Sequence, residues 1–284
     1  MSDRVGAAAQ RDHLQRLRDR LATEDRLLVA FSGGADSALL AAVAHDVLGD
    51  RAVAVTAISE SLPRREREAA VAFTRRHRIP HFEVHTDELS RSEYVANTSN
   101  RCFHCKTALF DALVPVQELT GARIAIATNL DDLGDHRPGQ AAARLRGAVF
   151  PLVDANLTKA DVRAISRDLG LSTADKPAAA CLSSRVAYGD PVTPELLHRI
   201  EAAEDVLHRY GFADCRVRAH ADGHLARVEL PAADFDRALA VRDELAAALR
   251  SAGFTFVTVD LTPLRSGSMN VLLPLLPTRR AAVS

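Results

Sequence analysis

The sequence predicts an α/β protein with a parallel-sheet domain over residues 1–180 and a second, smaller α+β domain over residues 181–284. Three observations carry that expectation. Short apolar runs alternate with helix-like stretches through the first half of the chain, and a tight glycine turn, SGGADS (32–37), joins the first run to the next helix. Beyond residue 190 the order changes to helix, two adjacent strands, helix and strand. Strands that alternate with helices imply a parallel sheet covered on both faces, whereas adjacent strands belong to an α+β unit.

Taken in order, residues 8–22 carry Leu14, Leu17 and Leu21 at three- and four-residue spacing, an amphipathic helix. LLVAF (27–31) is a buried strand, followed by the glycine turn and a helix over 38–48. A second strand (51–58), a second helix (63–77) and a third strand (79–85) follow. After a polar stretch (87–100), the spacing predicts a helix over 106–119 and a strand over 122–128. Residues 129–190 are rich in loops and polar groups, and the domain boundary is expected in the 171–192 loop. The second domain reads as a helix (194–209), strands near 214–219 and 224–230, a helix (232–249) and a strand (254–260).

The chain has 284 residues, 47% hydrophobic and 26% charged, with a formal net charge of −1. That is room for one large domain or two smaller ones. The near-neutral balance argues against a general nucleic-acid binder, while leaving a local basic site open. The segment MSDRVGAAAQRDHLQ has no apolar run of signal-peptide kind and no long uncharged apolar stretch occurs elsewhere, so a cytoplasmic location away from membranes is expected. In a reducing compartment the four cysteines (102, 105, 181 and 215) read as metal ligands or catalytic thiols before they read as a disulfide framework.

In SGGADS, Gly33 and Gly34 admit backbone conformations closed to other residues and let a ligand approach the main chain. Ser32 and Ser37 add hydroxyls, and the first N–H groups of the following helix point outward, which favours a phosphate or pyrophosphate. A plain capped strand–helix turn is the alternative by shape alone. The string is neither G-x-x-x-x-G-K-[ST] nor G-x-G-x-x-G. An acidic Asp36 among phosphates calls for a cation such as Mg²⁺.

The full string S-G-G-x-D-S after an apolar strand resembles the pyrophosphatase loop of the ATP-pyrophosphatase (PP-loop) superfamily, with its adenine nucleotide α-hydrolase-like fold. Members cleave ATP between the α- and β-phosphates and hand AMP to a substrate oxygen. The resemblance implies that Ser32, Gly33, Gly34, Asp36 and Ser37 bind pyrophosphate and that Asp36 helps to hold Mg²⁺. Further strings are TNLDDLGDHRPG (128–139), KPAAACLSSR (176–185), RVRAH (216–220) and RSGSMN (265–270). With these, residues from about 10 to 275 closely resemble the LarE family of ATP-dependent sulfur transferases, which build the nickel-pincer cofactor of lactate racemase. One departure is Pro263-Leu264, where the family often has Gly-Tyr before RSGSMN.

By that resemblance the substrate is pyridinium-3,5-biscarboxylic acid mononucleotide. ATP adenylates a ring carboxylate, a sulfur nucleophile displaces AMP, and two rounds give the dithio product. The chemical logic stands on its own: adenylation gives a poor electrophile a good leaving group, and a thiolate outdoes a hydroxyl as nucleophile at neutral pH. In single-cysteine members the residue matching Cys181 gives up its sulfur and becomes dehydroalanine. In three-cysteine members, matched here by Cys102, Cys105 and Cys181, the thiols hold a [4Fe–4S] cluster that presents an extra sulfide, with C-x-x-C in the loop before a helix. Both routes stay open at the level of sequence. A zinc site would want a fourth ligand, with His104 awkwardly close, and a thioredoxin-type pair belongs to another fold.

Arg185, four positions after Cys181, is implied in the catalytic site with Cys181 and Asp36. Arg216 and Arg218, on one face of a predicted strand, suit a substrate phosphate, against the alternative of a solvated strand face. Asp132, Asp135 and Arg137 line a nucleotide or substrate cleft, or cap turns. Glu204 and Glu229 read first as surface acids, with a metal or orienting role as the alternative. Lys176 contacts phosphate or is exposed, PRRERE and TRRH form a solvated helix face, and Cys215 is a small buried residue. The partners expected are the pyridinium mononucleotide, a sulfide source for the cluster route and, left open, further copies of the chain. The rival readings are a tRNA-thiolating or amide-forming PP-loop enzyme, and a non-catalytic adenine-nucleotide-binding protein. A tRNA thiolase would show a basic surface.

Overall fold

Leu27–Ala30 (β1) is the pivot of a four-stranded sheet in which every pairing is parallel. Its residues LLVA are apolar throughout, as a strand covered on both faces requires. In chain order, α1 (Ser2–Ala22) precedes β1, and α2 (Ala35–Leu48), β2 (Ala52–Ile58), α3 (Arg64–Arg76) and β3 (His81–His85) follow. Next come α4 (Arg101–Thr120), β4 (Arg123–Ala125) and α5 (Lys159–Asp168). The strand order is β3-β2-β1-β4, so β1 has β2 on one side and β4 on the other. The computed structural model describes residues 2–134, 143–177, 180–265 and 268–269.

Two apolar clusters sandwich this sheet. Leu17 and Leu21 of α1 pack with Leu39, Leu40 and Val43 of α2, Val162 and Ile165 of α5, and Val29 of β1. Leu109, Phe110 and Leu113 of α4 pack with Leu28, Val55 and Ile124. Adjacent residues of β1, Leu28 and Val29, thus serve opposite faces, the period-two rule of a strand.

The second sheet joins β5 (Arg216–His220), β6 (Leu225–Glu229) and β7 (Phe256–Val259) in that order. The first pair is antiparallel and the second parallel. α6 (Pro194–Arg209) precedes β5, and α7 (Phe235–Ala240) and α8 (Arg242–Ser251) lie between β6 and β7. α6 begins at the residue the sequence predicts: Thr193 accepts a hydrogen bond from the Leu196 N–H, and Pro194 fills the first helical position. The chain divides into two compact units, one of Met1–Glu88 with Cys102–Ala179 and another of Leu89–Arg101 with Ala180–Ser284.

Three local expectations change. The helix predicted from Lys106 starts at Arg101, which puts Cys102 and Cys105 inside α4 and not in the loop before it. Polar NRCFHC hides the apolar spacing there, and cysteine is a poor helix former, so propensity gives little sign of the true start. The helix predicted over 232–249 is broken at Val241 into α7 and α8. KADVRAISRD (Lys159–Asp168) is a helix, announced by a capping box in which the Thr158 side chain meets the Asp161 N–H and the Asp161 side chain meets the Thr158 N–H. No helix among the described residues is long and apolar enough to cross a membrane.

Candidate functional site

Open parallel sheets bind ligands at the carboxyl ends of their strands, where the strand order reverses. Here the chain runs outward from β1 to β2 and β3, then returns to the other side of β1 as β4. The reversal point lies between the ends of β1 and β4, and the loops leaving those two strands are SGGADS and TNLDDL.

The glycine loop is tied by its own serines. Ser37 Oγ accepts the Ser32 N–H at 3.3 Å, donates to the Gly34 carbonyl at 3.1 Å and lies 3.2 Å from Ser32 Oγ. Gly34 is the N-cap of α2 and supplies no side chain to its first N–H groups, which leaves them available to an anion. Gly33 has φ +70°, and a Cβ there would stand 3.3 Å from Ala70 Cβ on α3. Gly33→Ala is therefore expected to cost roughly 1–2 kcal/mol through the left-handed backbone alone. It is read from the midpoint of chemical unfolding, and an unchanged midpoint would refute the conformation described.

Asp36 is the acid of this loop, and both of its oxygens are engaged. Asn129 Nδ2, from the loop after β4, donates to Oδ1 at 3.0 Å, and Lys159 Nζ, from the first turn of α5, meets Oδ2 at 2.5 Å. Asn129 is fixed in turn by Asp132, whose Oδ2 accepts the Asn129 N–H and whose N–H reaches Asn129 Oδ1, each at 3.2 Å. Asp131 accepts the Lys159 N–H at 2.8 Å. Lys176 is partly buried, and its Nζ donates to the Gly33 carbonyl at 3.0 Å and to Glu66 Oε2 at 2.7 Å. The structure thus gathers Ser32, Gly33, Gly34, Asp36, Ser37, Asp132 and Lys176 and adds Asn129, Lys159 and Glu66. Asn129 and Lys159 escape sequence reasoning because neither stands in a glycine loop, although the capping box places Lys159 at a helix start. Asp135 and Arg137 lie outside the described residues.

In the other unit Cys181, partly buried, immediately precedes the single 3₁₀ turn Leu182–Arg185. Arg185 is buried and faces Glu204, its Nε 2.9 Å from Oε1 and its Nη2 3.4 Å from Oε2. Its Nη1 donates to the carbonyls of Ala180 at 2.5 Å and Cys181 at 3.2 Å. Arg218 pairs with Glu229 Oε2 through Nε at 3.0 Å and Nη2 at 2.9 Å, and its Nη1 reaches the Ser184 carbonyl at 2.8 Å. Glu204 and Glu229, expected at the surface, are buried at 7% and 1% exposure, where the paired guanidinium groups of Arg185 and Arg218 offset the cost of burying their charge. Arg216 differs from its neighbour. It donates to the Arg265 carbonyl at 3.1 Å and has no carboxylate partner among the described residues. Burial first, then Arg218 and Arg185, pushes its pKa below arginine's ordinary value, as desolvated like charges do.

Cys102 is exposed and Cys105 partly buried, three residues apart in the first turns of α4 and so on one helix face. Cys215 is buried just before β5, 3.9 Å from His208 Nδ1. No group of three or more His, Cys, Asp or Glu side chains placed to hold a metal ion occurs among the described residues.

No family model matches the chain. An uncharacterized protein of Synechocystis sp. is 44% identical over 265 residues, which span 92% of this chain and 97% of that one. The pyridinium-3,5-bisthiocarboxylic acid mononucleotide synthase of Lactiplantibacillus plantarum is 36% identical over 247 residues, or 86% of this chain and 89% of that one. An uncharacterized protein of Methanocaldococcus jannaschii is 26% identical over 245 residues, 85% of this chain and 91% of that one.

Proposed function

Since the chain belongs to the LarE family, that of the pyridinium-3,5-bisthiocarboxylic acid mononucleotide synthase, we propose that it is an ATP-dependent sulfur transferase acting on a pyridinium carboxylate mononucleotide. The observation that carries the ATP half of this reading is Asp36: a carboxylate within a serine- and glycine-bound loop at the reversal point of a parallel sheet, aimed by Asn129 and Lys159.

In this reading a substrate carboxylate oxygen attacks the α-phosphorus of ATP, pyrophosphate leaves, and an acyl adenylate forms. A sulfur nucleophile then adds to the acyl carbon and AMP departs with the C–O bond electrons. Ser32, Gly33, Gly34, Ser37 and the first N–H groups of α2 cradle the leaving pyrophosphate. Hard oxygen donors suit Mg²⁺, and Asp36 is the side chain that would hold it, at the cost of its contact with Lys159. Lys159 would then be free to meet the phosphates. Arg216, without an acid of its own among the described residues, suits the phosphate of the mononucleotide better than Arg218, whose guanidinium is committed to Glu229.

Two routes supply sulfur. In one, Cys181 itself attacks, and β-elimination from the resulting thioester releases thiocarboxylate and leaves dehydroalanine, with the Cα proton passing to a base. In the other, Cys102, Cys105 and Cys181 would hold a [4Fe–4S] cluster, for which thiolate is the right donor type. When bound, the cluster would supply transferable sulfide through an iron without a protein thiolate. Iron analysis of anaerobically purified protein and intact-mass measurement after turnover separate them: near four irons per chain with Cys181 unchanged marks the cluster, and loss of H₂S confined to Cys181 marks sacrifice.

The whole reading is tested by pyrophosphate release from ATP with and without pyridinium-3,5-biscarboxylic acid mononucleotide. Release stimulated at least about tenfold by the substrate is expected, since adenylation needs the attacking carboxylate in place. Release that ignores the substrate would sink the transferase reading.

A further inference from the structure

Residues 94–101, which the chemistry above does not use, carry three buried polar side chains: Tyr94, Asn97 and Arg101 are 1%, 0% and 5% exposed. All three reach residues 183–190 of the same unit. Asn97 Nδ2 donates to the carbonyls of Ala187 at 2.7 Å and Asp190 at 2.9 Å. Arg101 Nη1 donates to Asn97 Oδ1 and, at 2.9 Å, to the Ser183 carbonyl. The Arg101 guanidinium lies 5.6 Å from the centre of the Tyr188 ring. Tyr94 Oη stands 2.5 Å from Ser183 Oγ, and Ser183 is itself fully buried.

Ser183 belongs to the turn that begins after Cys181, so this network converges with two arginines already described. Arg185 holds the carbonyls of Ala180 and Cys181, Arg101 that of Ser183, and Arg218 that of Ser184. Four main-chain carbonyls of residues 180–184, the stretch that carries Cys181, are thus each received by a guanidinium. The Cys181 and Ser183 carbonyls also accept the N–H groups of Ser184 and Val186 within the turn, but charge-assisted N–H donors are stronger and more directional than these neutral ones. Arg101 is unlike the other two: its partners among the described residues are neutral. A guanidinium buried without a carboxylate is an expensive way to stabilise a fold, where an apolar side chain would serve as well. Its use here is in direction.

We propose that Arg101, with Tyr94 beside it, is a positioning residue for Cys181, fixing the Ser183 carbonyl and hence the orientation in which the thiol is presented for transfer. The inference deepens the reading above and rests on Cys181 carrying or supplying the sulfur. Fixing a nucleophile within a fraction of an ångström changes kcat and leaves alone the binding of a co-substrate held by other residues.

The test takes full-length Arg101→Met, Arg101→Lys and Tyr94→Phe, each first shown to retain the wild-type far-UV circular dichroism. Iodoacetamide labelling is followed residue by residue by mass spectrometry, and thiocarboxylate formation is assayed alongside. In Arg101→Met the Cys181 labelling rate should change at least about threefold while Cys215 keeps its wild-type rate, and kcat should fall about tenfold with KM for ATP unaltered. Arg101→Lys, which can still reach the Ser183 carbonyl, should recover part of both. Tyr94→Phe should move both in the same direction by less, and carries the test if Arg101→Met does not fold. Unchanged Cys181 labelling in a folded variant overturns the proposal, and so does altered labelling with unaltered kcat. Failure of the underlying reading looks different: the wild-type protein itself would then form no thiocarboxylate.

Discussion

Asparagine at position 36 is expected to lower substrate-stimulated pyrophosphate release by about a hundredfold to a thousandfold, the range lost when one preorganised electrostatic group is removed from a reacting centre. The exchange keeps the shape of the side chain, so the Asn129 contact to Oδ1 at 3.0 Å can survive. The negative charge does not. Lys159 loses the anion that holds it at 2.5 Å, and a hard divalent cation loses a carboxylate ligand beside the phosphates. Because Asp36 is only partly buried, the fold should tolerate the change, and melting temperature should stay near that of the wild type. Initial rates at saturating ATP and magnesium give the measurement. A rate within about threefold of wild type would remove Asp36 from the reaction and leave the glycine loop a binding element only.

The second large effect concerns stability. Glu229 is 1% exposed and stands at the centre of a buried charge network. Arg218 donates to it twice, Ser268 Oγ donates at 2.7 Å, and Arg227 Nη2 lies 3.2 Å from Oε1. Glu229→Ala leaves the buried Arg218 without its anion and Ser268 Oγ without its acceptor. Breaking a buried pair from one side costs about 3–5 kcal/mol. For a chain of this size each kcal/mol moves the melting temperature by about 2–4 °C, so a fall of roughly 10 °C is expected by calorimetry. Glu229→Gln, which keeps an acceptor and the packing but not the charge, should fall about half as far. A shift below about 2 °C for the alanine variant would mean that the arginines are held by something other than this acid.

Much of the first unit was legible because its strands obey simple rules. LLVAF reads as buried since both faces of β1 are covered, and SGGADS reads as a strand–helix turn since two adjacent glycines follow a strand and open a helix. The contacts that aim Asp36 were not legible. Asn129 and Lys159 are 93 and 123 residues away from it in sequence, brought near by the return of the chain to the far side of β1, which no local pattern encodes. Glu204 and Glu229 misled for a related reason. An isolated glutamate in a polar context is indistinguishable from a surface acid until the arginine that buries it is known. Arg101 was hidden in the same way, its partners standing 82 residues further on at Ser183 and four residues back at Asn97.

The start of α4 at Arg101 has a wider meaning. Had the two thiols of NRCFHC stood in a loop, their separation would be set by whatever they bind, as in the small zinc modules that are unfolded without metal. Placed in a 20-residue helix whose Phe110 and Leu113 are fully buried, they take their separation from helical geometry, about 4.5 Å of rise over three residues. The ruler is cut by the fold before any cargo arrives. Cys102 and Cys105 are therefore a ready-made pair, and the tetrapeptide CFHC owes its spacing to the backbone and not to a ligand.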